Sequence, residues 1–254
     1  MASLNRVKLS RIISLTLGDD GLIELENQPL TLRLQTFENE GQYQGIVYTS
    51  LGTHVLDLLQ LHDNFIYHQP NAIHNLKDSQ GQFAALPLMR GLLPQFICRQ
   101  YRDGLFVLTL TDLHASNIFL KTPPYWLTGR PIDDIEHGEH LDDFQEVMTE
   151  FINAFNDQEE CVHTSDASQA EIMRKSWDRG SFWYFQAVNS PKGLLRVFNE
   201  HIQHMFCEEH CTQRVFDRTV SPYCSVGAEE FIQTKVEQEA EYKDQIRKRF
   251  GEVG

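Results

Sequence analysis

The chain has 254 residues, with 22 Lys and Arg against 36 Asp and Glu, a formal charge of −14, and is 41% hydrophobic and 23% charged. These are the proportions of an ordinary soluble globular protein of one large domain or two small ones. A surface this acidic repels phosphate backbones and anionic lipid, so generic nucleic-acid or membrane-surface binding is not expected.

No apolar run reaches the ~18 residues of a bilayer span. Arg6, Lys8 and Arg11 precede a short apolar stretch, Ile12 to Leu17, that runs into Gly18-Asp19-Asp20-Gly21 with no small-residue cleavage site, which is not a signal peptide. The five cysteines, Cys98, Cys161, Cys207, Cys211 and Cys224, are odd in number and scattered. They read as thiols of a reducing compartment, and the expected location is cytoplasmic.

In chain order, Ile12 to Leu17 and Leu22 to Leu25 flank Gly-Asp-Asp-Gly and predict a β-hairpin. Leu51, Val55, Leu58, Leu59 and Leu61 have helical spacing, as do Phe83, Leu86, Met89, Leu92 and Leu93, so two core-facing helices follow. Phe106 to Thr111 is β-rich, and Ile118-Phe119-Leu120 could pair with it. Thr122-Pro123-Pro124-Tyr125-Trp126 is extended, because proline restricts both its own φ and the residue before it. Further helices are expected at about 141–155, 168–177, 192–206 and 229–250, with 156–160 and 164–169 as exposed connections.

The most informative segment is FVLTLTDLHASNIFL, residues 106–120: a strand, Asp112, four residues, Asn117, and a second apolar run. Phosphoryl transfer uses such an arrangement, an aspartate at a strand's mouth taking the acceptor hydroxyl's proton and an asparagine five positions on binding magnesium. Asp-x-x-x-x-Asn alone would occur about once by chance in a chain of this length, so the flanking strands carry the signal.

With ISLTLGDDGLIEL, QPLTLRLQTFENEG, LDLLQLHDN and PPYWLTGRPIDDI, this segment resembles the aminoglycoside phosphotransferase family of kinase-like enzymes, in particular a fungal group within it. The resemblance spans most of residues 10–155. It implies an α+β fold equivalent to the C-terminal lobe of a kinase-like protein, mainly helical, with a small β-hairpin and a short catalytic-loop sheet. One partial domain would span 1–254, with the hairpin at about 10–35, the catalytic-loop core at 50–160 and C-terminal helices at 165–254. The implied reaction is ATP- and magnesium-dependent transfer of a phosphoryl group to a small-molecule hydroxyl, with Asp112 as catalytic base and Asn117 as magnesium ligand. His114 reads as loop packing.

Departures from the family pattern point to an impaired member. Gly41 and Gly45 form no Gly-x-Gly-x-x-Gly run, and no lysine for the nucleotide phosphates is recognisable, so the N-terminal lobe is expected to be largely absent. In the resembling proteins a turn and a strand bearing a second metal-binding aspartate follow the asparagine segment. Here Leu120-Lys121 joins directly to Thr122-Pro123-Pro124. Two readings stand: an impaired or inactive phosphotransferase-like protein, that is, a non-catalytic remnant or accessory protein in a fungal secondary-metabolite setting, and an active enzyme working through Asp112 and Asn117.

Other clusters read more plainly. Asp133 and Asp134 follow a proline-rich entry and read as a solvated turn rather than a replacement metal strand. His201, His204, Cys207, His210 and Cys211 are zinc-type residues, but on a helix positions 204 to 211 span ~10 Å, too far for three bonds to one ion. The aromatic run Trp177 to Phe185 reads as core, and Glu146, Glu150, Asp157, Glu159 and Glu160 as a solvated face.

Overall fold

The computed structural model describes residues 8–29, 46–104, 106–107, 135, 138–162, 168–207, 212–223 and 227–251. Two small antiparallel ladders lie beside a helical body. Strand β2 (Ser14–Leu17) pairs with β3 (Ile23–Asn27) in the expected hairpin. Its turn is closed by Gly21 N–H to Gly18 O (2.9 Å), Gly18 N–H to Leu22 O (2.8 Å) and Leu22 N–H to Asp20 Oδ1 (2.9 Å). Gly21 has φ +78°, the left-handed backbone that glycine adopts without steric cost. The second ladder joins β1 (Lys8–Leu9) to β4 (Phe106–Val107), Leu9 opposite Phe106.

Helix α1 (Leu51–His68) buries the expected apolar stripe, together with His54 and His62. Helix α2 (Leu76–Phe96) starts about two turns before the sequence pattern suggested, because Asn75 accepts Asp78 N–H (3.0 Å) and Asp78 in turn accepts His74 N–H (2.8 Å). The two helices are tied by Arg90, which reaches Asp63 and Leu59 O.

Helix α3 (Glu139–Val162) is longer than expected. Residues 156–160, read from the sequence as a connection, are its last turns, with Asn156 Nδ2 donating to Glu160 Oε1 (2.8 Å). Glu159 accepts from Ser168 Oγ (2.8 Å) and from the N–H groups of Gln169 (2.8 Å) and Ala170 (3.1 Å). It therefore caps α4 (Gln169–Asp178), placing a carboxylate where the helix dipole favours one. Glu146, Glu150, Asp157 and Glu160 are exposed, as a solvated face requires.

The centre of the body is α5 (Ser181–Asn189), every residue of which is buried. A helix apolar around most of its circumference has to lie inside, and neighbours surround this one. Phe96 stacks on Tyr184 (4.4 Å between centroids), whose hydroxyl donates to Met89 O (2.7 Å). Phe144 of α3 packs against Phe182, with Trp177 and Trp183 nearby. The aromatic run is thus core, as its spacing suggested.

One long helix over 192–206 is not formed. The chain makes α6 (Leu194–Val197), a π turn (Phe198–Ile202) and a 3₁₀ turn (Gln203–Met205). The widened turn carries Phe198, His201 and Ile202, all three buried. Helices α7 (Gln213–Val220) and α8 (Ala228–Phe250) complete the body. Lys235 of α8 is buried and donates from Nζ to Gln69 O (2.7 Å), satisfying a carbonyl at the end of α1, while burial lowers its pKa.

Gly180, before α5, has φ +70°, and a Cβ there would lie 2.5 Å from Met205 Sδ. Met205 is half exposed and can move, so the left-handed backbone sets most of the cost. Gly180→Ala is expected to destabilise the fold by about 1–2 kcal/mol, a melting temperature lower by a few degrees. A thermal scan showing no decrease contradicts this account.

Candidate functional site

Asp112, Asn117 and His114 lie outside the described residues, as do Asp133, Asp134 and the expected partner strand Ile118-Phe119-Leu120. The described residues on either side of this segment are both built into the body. On the entry side, Phe106 is buried and β4 pairs with Lys8–Leu9. Leu51 N–H, at the start of α1, donates to Arg102 O (2.9 Å), so the turn ahead of β4 is hung from a helix N-terminus whose first N–H groups have no partner within the helix.

On the exit side, Ile135 is buried, and His201 Nε2 donates to its carbonyl oxygen at 2.7 Å. The His201 ring lies flat on Trp183, with centroids 3.6 Å apart and planes 8° from parallel. Ile135, Trp183 and His201 are far apart in sequence and carry no motif, so only the fold reveals the contact. It also gives His201 a structural task in place of the zinc role its residue type suggested.

The helical rise assumed from His204 onward does not apply at Cys207, because the 3₁₀ turn ends at Met205. His210 and Cys211 lie outside the described residues. Among the described residues, no three His, Cys, Asp or Glu side chains come together as a metal site. No described helix is long and apolar enough to cross a membrane.

Two buried imidazoles have strongly perturbed titration. His54 packs at a tilt against Tyr48 (4.7 Å between centroids, planes 59° apart), and burial brings its pKa down from 6.5 to about 4. His62 is also brought to about 4, chiefly by burial, with the hydrogen bond to Val188 O (2.8 Å) working in the opposite direction and the Arg90 charge adding to the decrease. Both are neutral near pH 7 and are fixtures of the α1 core face. Perturbed groups often mark active sites, but here their partners are core atoms. Asp217 of α7, buried and bonded to Gln213 Nε2 (2.7 Å), has its pKa raised by burial and belongs to the seam with α2.

No family model, curated protein or solved structure matches this chain.

Proposed function

We propose that the chain is a phosphotransferase-like protein related to ATP-dependent small-molecule O-kinases and impaired in catalysis. The observation that carries this reading is the segment 106–120, in which Asp112 and Asn117 have the types and spacing of a kinase catalytic loop between two apolar runs. The seating of Phe106 in the core and of Ile135 beneath His201 supports it, since a catalytic loop has to be held at both ends by a rigid body. The kinase-like identity of the helical body and the fungal secondary-metabolite setting rest on resemblance.

In this reading Asp112 accepts the proton of the acceptor hydroxyl as its oxygen attacks the γ-phosphorus and ADP leaves. Asn117 would hold magnesium, which when bound neutralises the nucleotide phosphates. Impairment follows from the direct joining of Leu120-Lys121 to Thr122-Pro123-Pro124, where the resembling proteins carry the second metal-binding aspartate. A single asparagine is a poor magnesium site, because this hard cation is ordinarily held by carboxylates together with substrate phosphates.

Isothermal titration calorimetry with Mg-ATP tests the reading. Affinity weaker than about 1 mM, or no heat at all, is expected. Micromolar affinity, about −8 kcal/mol, would favour the active-enzyme reading and would mean that the protein holds nucleotide by groups other than these two.

A further inference from the structure

A cleft of about 200 Å³ opens between the end of α1, the loop at 71–74, the first turns of α2 and the turn at 191–195. It shares none of the residues assigned above to catalysis, and its argument does not depend on them. One wall is apolar: Phe65 and Ile66 from α1, Leu86 from α2, and Leu194 and Leu195 from the facing turn. Gly81 lies beside this wall, since a Cβ there would stand 3.0 Å from Leu195 Cδ2 and require that side chain to shift by a few tenths of an ångström.

Two opposite charges line the same cleft. Asp78 is fixed in orientation, because Oδ2 accepts His74 N–H (2.8 Å) and Gln82 Nε2 (3.1 Å). Its Oδ1 receives no hydrogen bond among the described residues. Lys192, on the opposite turn, is exposed and forms no ion pair or hydrogen bond among them. The two form no ion pair with each other, so each is available to a counter-charge in the cleft that both line. His62 at the cleft is neutral near pH 7 and adds no third charge there.

Opposite charges beside an apolar wall are complementary to a molecule that carries an ammonium, a carboxylate and a short hydrocarbon group together. A cleft of about 200 Å³ suits a ligand of small-molecule size such as a branched aliphatic amino acid. We propose that this cleft binds a small zwitterion of the amino-acid class with a branched apolar side chain, its ammonium on Asp78 and its carboxylate on Lys192.

The test is saturation-transfer NMR on the full chain with L-leucine, beside isoamylamine, which lacks the carboxylate, and isocaproate, which lacks the ammonium. Saturable L-leucine binding with Kd on the order of 1 mM is expected, as suits so small a ligand, and each singly charged analogue should bind at least about tenfold more weakly. Lys192→Ala, at an exposed and unpaired position, should leave the circular dichroism and melting unchanged and weaken L-leucine about tenfold or more. Asp78→Asn, which keeps an oxygen for His74 N–H, should weaken L-leucine about tenfold or more, while lowering the melting temperature by at most a few degrees because the first turn of α2 loses a negative charge. Absence of saturable binding up to about 20 mM, equal binding by Lys192→Ala, or isoamylamine binding as tightly as L-leucine would each overturn the proposal.

Discussion

Lowering the pH from 7 to 4 is expected to unfold this protein through two imidazoles. His54 and His62 titrate near 6.5 in the unfolded chain and about 4 in the fold. Above pH 6.5 both states are neutral and neither group affects stability. As the pH falls through 6.5, the unfolded chain takes up two protons that the native state refuses, so stability decreases by about 1.4 kcal/mol per pH unit for each histidine. The decrease continues until the native groups titrate near 4.

Over that window of 2.5 pH units each imidazole contributes a loss of about 3 kcal/mol, and the pair about 6 kcal/mol. A typical domain has only about 5–15 kcal/mol of stability. Urea unfolding at half-unit steps from pH 7.5 to 4.5 measures the slope. His62→Gln keeps an N–H donor for Val188 O and removes the proton site, so it should reduce the slope by about half. His54→Phe, which retains a ring against Tyr48, should do likewise. Slopes unchanged in both variants would mean that carboxylates elsewhere govern acid unfolding.

The second large effect concerns Asp112. Asp112→Asn retains side-chain size and part of the hydrogen bonding but removes the proton acceptor and the negative charge. Any ATP-dependent phosphorylation by the wild type should fall by about 10²–10⁴-fold, while the melting temperature changes little. Asn117→Ala in the same assay should shift the magnesium dependence to higher concentration. Turnover that persists undiminished in Asp112→Asn would remove the basis of the kinase-like assignment. Wild type inert toward a broad panel of hydroxyl and amine acceptors would favour the non-catalytic reading.

The amphipathic elements were legible because burial of one face imposes a local period. Leu51, Val55, Leu58 and Leu59 declared α1, the Gly-Asp-Asp-Gly turn declared the hairpin, and the helix expected at 229–250 is α8, where Lys248 Nζ pairs with Asp244 Oδ2 at 2.6 Å. The candidate loop rests on a different ground, two residue types at a short fixed spacing together with a resemblance, and its residues 108–120 lie outside the described ones.

What the sequence left open depends on partners that are distant along the chain. Residues 156–160 look like a polar connection until Glu159 is seen capping α4. Residues 192–206 look like one helix, yet the chain widens into a π turn that places His201 on Trp183 and against Ile135 O. The cleft between α1, α2 and the 191–195 turn has no sequence signature, since its charges and its apolar wall come from three separate segments. By itself the sequence determined the periods, the turn chemistry and the loop's residue types, which are local properties. Only the tertiary structure decided which polar groups were left without partners, because that depends on which surfaces packing brings together.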